Sequence, residues 1–143
     1  MKAIAYNIKP DEKEWLVLAN YKKHDITIIA NSLTVDTLSF AEGKEALLVF
    51  NNDYLSGEMI AGLKLLGIKY IATSALETAH LDLMAAAHAG LKVANVPLLQ
   101  QDQHPKLRME QVIQNLDRWS AGKCVGKACC CQNNCGVIKE VKP

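Results

Sequence analysis

Short apolar strands alternate with helical segments along the first hundred residues, and this alternation limits the possible folds more than any other feature of the sequence. Five runs have the length and the apolar or β-branched character of buried strands: Ala3–Tyr6, Ile26–Ala30, Ala46–Phe50, Lys69–Thr73 and Lys92–Val96. Strands separated by helices pair in parallel, so the pattern predicts an α/β fold with a five-stranded parallel sheet and helices on both faces. The continuous apolar run Ile26–Ala30 further predicts a strand that is buried on both faces.

The connecting helices are indicated by capping residues and by apolar residues three or four positions apart. We predict helices over Asp11–Tyr21, over a short segment from Thr34 to Phe40, from the N-cap Ser56 to the stop at Gly67, and over Leu81–Ala89 before Gly90. A last helix is predicted to begin at Pro105 and to end near Gly122. We interpret its apolar stripe as packing against the sheet, with a partner-binding helix as the alternative. The stripe consists of Met109, Val112, Ile113, Leu116 and Trp119.

The size and charge of the chain exclude several classes of function. Its 143 residues suggest one domain, and 16 basic against 15 acidic side chains leave a net charge of +1. A chain so close to neutral has no electrostatic field suited to nucleic acid. No apolar run has the length of a membrane span, and the N-terminus lacks the apolar stretch of a secretory signal. We therefore expect a cytoplasmic protein that binds neither nucleic acid nor membrane.

Three stretches of the sequence have a specific pattern: KPDEKEWLVLAN near the N-terminus, the long segment Phe50–Pro97, and NLDRWSAGK at Asn115–Lys123. The long segment contains an N-D-x-L turn, a helix ending in L-G-I-K, and the motifs H-L-D-L and A-x-x-x-G-L-K-V. Together these stretches resemble the D-2-hydroxyacid dehydrogenases, and the D-lactate dehydrogenases in particular. The resemblance implies a flavodoxin-like substrate domain, with strand order 2-1-3-4-5 and the last helix packed on the sheet.

The resembling family has a nucleotide-binding domain inserted before its last helix, and this sequence has no such insert. Fewer than ten residues separate Pro97 from Pro105. In the family, the catalytic arginine, glutamate and histidine belong to the inserted domain, so none is carried over to this chain. The glycines also lack the G-x-G-x-x-G spacing that brings backbone close to a pyrophosphate. We therefore expect no NAD binding and no NAD-dependent dehydrogenase activity from this chain on its own.

The loop after the fourth predicted strand departs from the family pattern. The family's R-x-A-G-x-x-x-(I/V)-D corresponds here to SALETAHLD, Ser74–Asp82, in which Glu77 replaces the glycine whose backbone meets the substrate carboxylate. A carboxylate at that position repels an anionic substrate. Glu77 and His80 are a weak catalytic candidate as an acid–base pair; a polar loop beside an obsolete cleft is the alternative. The other histidines are interpreted as solvated or as a plain loop residue: His24 and His88, and His104.

All five cysteines lie within twelve residues near the C-terminus: Cys124, Cys129, Cys130, Cys131 and Cys135. In a reducing compartment an odd number of clustered thiols favours metal or redox chemistry over structural disulfides. The preferred metal ligands are Cys124, Cys129, Cys131 and Cys135, and Cys130 is omitted because adjacent cysteines chelate one metal poorly. The irregular spacing favours an Fe–S cluster, since zinc sites commonly use C-x2-C pairs. Zinc, thiol redox chemistry and no chemistry remain as alternatives.

The sequence therefore predicts one flavodoxin-like domain over residues 1–122, with the sheet core in 1–100 and the C-terminal helix in 105–121, followed by an irregular cysteine-rich tail over 123–143. We interpret the chain as a non-catalytic remnant of a dehydrogenase substrate domain whose tail binds a metal or Fe–S centre for electron transfer or sensing. An interaction scaffold with thiol-redox cysteines and a minimal enzyme using Glu77 and His80 are the alternatives. Loss of the insert uncovers apolar surface, so a homodimer or another protein partner is expected, with Leu98–Leu99 as a candidate contact.

Overall fold

A computed structural model describes residues 1–50, 54–75, 78–97 and 104–130 of the chain. Five short parallel strands form one sheet in the order β2-β1-β3-β4-β5. They are β1 (Lys2–Ala5), β2 (Asp25–Ile28), β3 (Ala46–Val49), β4 (Tyr70–Thr73) and β5 (Lys92–Ala94). The predicted fold class, five parallel strands in the order 2-1-3-4-5 with flanking helices, is confirmed.

The four α-helices begin and end close to the predicted positions, whereas the helix predicted from Thr34 to Phe40 is only a 3-10 turn that begins at Leu38. The helices are α1 (Pro10–Asn20), α2 (Gly57–Leu66), α3 (Leu83–Ala89) and α4 (Pro105–Ser120), with short 3-10 helices at Leu38–Ala41 and Gly126–Ala128. Ser56 Oγ accepts a hydrogen bond from Met59 N at 3.3 Å, as expected of an N-cap. Gly67 ends α2 with a φ of 110°, which only glycine adopts without strain. Within the described ranges, no helix has both the length and the apolar character needed to cross a bilayer.

The two faces of the sheet carry side chains of different size because residues alternate in direction along a strand. One face is lined mainly by alanines, including Ala3, Ala5, Ala46, Ala72 and Ala94, and is covered by α1 and α4. The other face is lined by branched residues, including Ile4, Leu47, Val49, Ile71 and Val93, and is covered by α2, α3 and the first 3-10 helix. The small side chains on the first face leave room for the bulky stripe of α4.

Helix α4 packs on the sheet through its apolar stripe, as the sequence predicts. Met109, Leu116 and Trp119 are at most 4 % exposed. Trp119 stacks on Tyr70 of β4 with ring centroids 4.8 Å apart. Asn115 on the same helix is buried and donates to the backbone oxygen of Asn95 at 3.1 Å, which fixes the helix relative to the end of β5.

Strand β2 is less buried than its apolar sequence predicts. Asp25 is exposed and the next three residues are only half-buried. The reason is topological, because β2 lies at the outer edge of the sheet and only β1 pairs with it. The expectation of burial on both faces was therefore wrong for this strand.

The interior position of α4 leads to a stability prediction with a control on the same helix. Leu116 is completely buried, whereas Leu107 is 36 % exposed. Leu116→Ala should lower the free energy of unfolding by about 2–5 kcal/mol, and Leu107→Ala by less than about 1 kcal/mol. Urea unfolding followed by tryptophan fluorescence measures both. Equal losses in the two variants would contradict the packing of α4.

Candidate functional site

The carboxyl end of β4 brings together a threonine and a histidine. Thr73 is the last residue of β4 and is fully buried. Its Oγ1 lies 3.2 Å from His80 Nε2 and accepts a hydrogen bond from the backbone N–H of Ala75 at 3.2 Å. Carboxyl ends of parallel strands are where α/β folds place their ligands. The pair is therefore positioned where chemistry would be expected in this fold.

Backbone contacts fix the segment that carries His80. Leu55 N donates to His80 O at 2.9 Å, and Asp82 N donates back to Leu55 O at 3.2 Å. Asp82 then caps α3 by accepting from Ala85 N at 2.9 Å. His80 is half-buried as a result. Its predicted acid–base partner Glu77 lies outside the described residues, so that pairing stays a prediction.

The sequence interpretation missed the role of Thr73 as the partner of His80. A polar residue at the carboxyl end of an otherwise apolar strand was the available signal, since such ends border the ligand cleft of α/β folds. The hydroxyl either donates to the imidazole lone pair or accepts from the imidazole N–H. In both cases one ring nitrogen of His80 is already engaged.

The start of the cysteine segment forms an extension of the sheet at the free edge of β5. Asn95 N donates to Ala128 O at 3.0 Å, and Cys130 N donates to Val93 O at 2.9 Å. Cys129 forms an antiparallel bridge with Ala94. The predicted irregular loop is thus wrong for the described part of the tail, which contains a 3-10 turn and an edge pairing. These backbone hydrogen bonds hold the described part of the tail against β5.

Two adjacent cysteines end up on opposite faces of the sheet. Cys129 packs against the alanine-lined face and Cys130 against the branched face, as alternation in an extended chain requires. Burial, together with the neighbouring Cys129, raises the pKa of Cys130 to about 11. Such a thiol stays protonated over a wider pH range than an ordinary cysteine. The predicted ligand set, which omits Cys130, stays a prediction.

Only two of the four predicted metal ligands lie within the described residues. Cys124 and Cys129 are both half-buried, while Cys131 and Cys135 lie outside the description. Among the described residues, no three histidine, cysteine or acidic side chains are grouped closely enough to hold a metal ion. The segment also runs antiparallel to β5, so at Cys130 it is heading away from the carboxyl edge that carries His80.

His24 differs from its predicted solvated state. Only 5 % of its side chain is exposed, and Nε2 lies 2.8 Å from Asp117 Oδ1 on α4. Lys23 Nζ lies 2.9 Å from the other oxygen of the same carboxylate. Burial alone would raise the pKa of Asp117, but hydrogen bonds from Lys23 and His24 outweigh it, so the pKa lies below its ordinary value. No local pattern could reveal this contact, since the partners are 93 residues apart.

The other two histidines differ in their structural roles. His88 is exposed on α3, as predicted. His104 is more than a loop residue, because its Nδ1 accepts from Lys106 N at 3.0 Å and caps α4. Its ring also contacts Trp15 edge-on, with centroids 5.6 Å apart.

Comparison with known proteins finds one family. Residues 3–103 match the family described as D-isomer specific 2-hydroxyacid dehydrogenase, catalytic domain. An aromatic 2-oxoacid reductase of Clostridium sporogenes is 33% identical over 98 residues, which are 68% of this chain and 30% of that protein. The apo-structure of D-lactate dehydrogenase from Escherichia coli has a TM-score of 0.65 and 36% identity over 68% of this chain and 31% of its own. The chain thus spans about a third of the length of these relatives.

A further solved structure shares the fold over a longer part of the chain. The structure of D-2-hydroxyisocaproate dehydrogenase has a TM-score of 0.65 and covers 89% of this chain and 42% of its own. Its 18% identity supports likeness of fold alone. Coverage of that extent reaches beyond residues 3–103, so the likeness includes part of the chain that follows the family match.

The raised pKa of Cys130 predicts slow alkylation in the folded protein. The shift from 9.0 to about 11 lowers the reactive thiolate population about a hundredfold near pH 8. Labelling with iodoacetamide, read by fragment-ion mass spectrometry, should modify Cys130 about a hundred times more slowly in buffer than in urea. Equal rates in the two solvents would show that Cys130 is not desolvated as described.

Proposed function

The chain belongs to the family of D-isomer specific 2-hydroxyacid dehydrogenases, and from this membership we propose that it is a substrate-side domain that does not itself transfer hydride. We propose in addition that its C-terminal segment carries a thiolate-ligated metal centre. The observation that carries the proposal is the anchoring of that segment on the edge of β5. Backbone contacts hold Cys129 and Cys130 against β5. The sequence also lacks the G-x-G-x-x-G spacing of a dinucleotide site.

The absence of hydride transfer follows from the connection after β5. Seven residues, 98–104, join Pro97 to the start of α4. A nucleotide-binding unit needs a complete βαβ arrangement of about thirty residues or more with a glycine-rich turn. Without it, the elements within residues 1–50, 54–75, 78–97 and 104–130 offer no such unit to hold a nicotinamide next to the carboxyl edge of the sheet. Thr73 and His80 would then be the remnant of a substrate cleft that no longer supports catalysis.

The metal centre is proposed to use Cys124, Cys129, Cys131 and Cys135. An Fe–S cluster suits the irregular spacing of these thiols better than zinc does, as argued from the sequence. The protonated Cys130 faces the other side of the sheet and is left out. Electron transfer or redox sensing is the corresponding function, because these are the roles that an Fe–S cluster can serve without a bound substrate.

An interaction scaffold is a second candidate, supported by the outer surface of α1. Val17, Leu18 and Tyr21 are 52, 57 and 84 % exposed, and residues spaced by three and four lie on one helix face. Apolar groups exposed together are often covered by a partner or a second copy. The Leu98–Leu99 contact expected from the sequence lies outside the described residues. The interaction scaffold predicts a homodimer, and sedimentation equilibrium distinguishes it from a monomer.

We expect no nucleotide binding by this chain. NADH fluorescence should not change in a saturable way on titration with the protein up to micromolar concentrations, and D-lactate with NAD should produce no NADH. Escherichia coli D-lactate dehydrogenase, titrated in parallel, is the positive control. Saturable enhancement of NADH fluorescence by this chain would overturn the proposal that it lacks a cofactor site.

The metal centre predicts stoichiometric iron and acid-labile sulfide in protein purified without oxygen. Cys124→Ser and Cys135→Ser should abolish the metal because each removes one of four thiolate ligands. Cys130→Ala is the matched control, since the Cys130 thiol packs against the branched face of the sheet and is not among the four proposed ligands; it should keep the metal. Far-ultraviolet circular dichroism checks that all three variants fold.

Two outcomes would count against this centre. Stoichiometric zinc without iron would show that the cysteines form a tetrahedral zinc site and not an Fe–S cluster. Neither metal in stoichiometric amount would remove the metal centre altogether. The thiol-redox scaffold would then be the better account of the cysteine segment.

A further inference from the structure

The exposed face of α1 combines apolar side chains with one anionic and one neutral polar group. Val17, Leu18 and Tyr21 are exposed there, and so is Glu14. Seven residues make almost two helical turns, so Glu14 and Tyr21 lie on one line along the helix. Val17 and Leu18 lie between them along the axis, one on each side of that line. The face is therefore nearly symmetric about a point between Val17 and Leu18.

The polar groups of this face are not used within the described part of the protein. Among residues 1–50, 54–75, 78–97 and 104–130, neither the Glu14 carboxylate nor the Tyr21 hydroxyl has a hydrogen-bond or ion-pair partner. About 10 Å of helix axis separates the two residues, and they form no such contact with each other. A carboxylate accepts hydrogen bonds and a phenol donates one, so the two groups are complementary between two chains.

The backbone at Tyr21 does not account for a tyrosine at the end of α1. Tyr21 is the C-cap of this helix and has a φ of 46°, in the left-handed region where glycine or asparagine is usual. Its side chain is 84 % exposed, so burial in the core does not account for the residue either. Strained backbone is concentrated at functional positions, and tyrosine is enriched among the residues that dominate interfaces. Both features favour a contact between Tyr21 and another chain.

We propose that a second copy of this chain covers this face, with the two α1 helices antiparallel about a two-fold axis between Val17 and Leu18. Val17 then packs against the partner's Val17, and Leu18 against the partner's Leu18. Each Glu14 carboxylate accepts a hydrogen bond from the hydroxyl of the partner's Tyr21, so this pair forms twice. A two-fold axis requires a surface that is complementary to itself, as this one is.

This dimer rests on the interaction scaffold, the second candidate function, and it names the partner and the contact surface of that scaffold. It does not depend on the metal centre. The contact also leaves the edge of β2 unpaired, because it uses the outer surface of the helix that covers the alanine-lined face of the sheet.

Exchanging the polar pair tests this geometry by sedimentation equilibrium under reducing conditions, at protein concentrations from about 10 μM to 1 mM. Tyr21→Glu should weaken dimerisation at least about tenfold, because it brings two carboxylates together at two places. Combining Glu14→Arg with Tyr21→Glu should restore the dissociation constant to within about threefold of the unchanged protein, since each arginine meets a carboxylate of the partner. Loss followed by rescue is a result that a change within the monomer does not produce.

Leu18→Glu tests the apolar part of the contact, with Leu65→Glu on α2 as its matched control. Leu18→Glu should weaken dimerisation at least about tenfold, because it places two carboxylates beside the two-fold axis. Leu65 is 87 % exposed on a helix that covers the opposite face of the sheet, so Leu65→Glu should leave the association unchanged. Far-ultraviolet circular dichroism checks that all variants fold.

The results that overturn the proposal are distinguishable from failure of the scaffold itself. A dimer that Tyr21→Glu and Leu18→Glu do not weaken would place the interface on another surface and leave the scaffold standing. Failure of the double variant to restore dimerisation would overturn the Glu14–Tyr21 pairing. A strict monomer over the whole concentration range would remove both the α1 contact and the homodimer that the scaffold predicts.

Discussion

The packing of α4 on the alanine-lined face of the sheet is the contact on which the rest of the structure depends. The central strands alternate small and large residues, so one face is shallow and the other is filled by its own branched side chains. A shallow face needs bulky residues from outside, and Met109, Leu116 and Trp119 supply them. The sheet is complete only when a helix that begins at residue 105 returns across strands formed by residues 2–94.

Polar contacts at the margins of this interface set the position of α4. Arg108 Nη2 lies 3.1 Å from Glu12 Oε2 on α1, and both side chains are largely removed from water. His24 and Lys23 hold Asp117 at the other end of the helix. Ion pairs of this kind add little net stability, but leaving one partner buried alone is costly. They therefore select one register for α4 while the apolar stripe provides the free energy of packing.

The sequence predicted those parts of the fold that depend on local patterns. Strand positions, the caps at Ser56 and Gly67 and the stripe of α4 are all encoded within a few residues, and all were found in the structure. The errors concern contacts between distant segments. The burial of His24 depends on Asp117, and the pairing of Cys129 depends on Ala94, in each case more than thirty residues away. Neither contact produces a periodic pattern in the sequence.

The two edges of the sheet are protected in different ways, and the difference bears on the cysteine segment. Strand β2 keeps a short edge flanked by Lys22, Lys23 and Asp25, and charged residues on short edge strands discourage pairing with other chains. Strand β5 instead has its backbone groups at Val93 and Asn95 satisfied by residues 128–130. Removing these residues would remove two backbone hydrogen bonds along β5 and uncover this edge of the sheet, and uncovered sheet edges are prone to aggregation. The beginning of the cysteine segment thus has a structural role whatever its thiols bind, and the anchoring would keep any centre formed there attached to the domain.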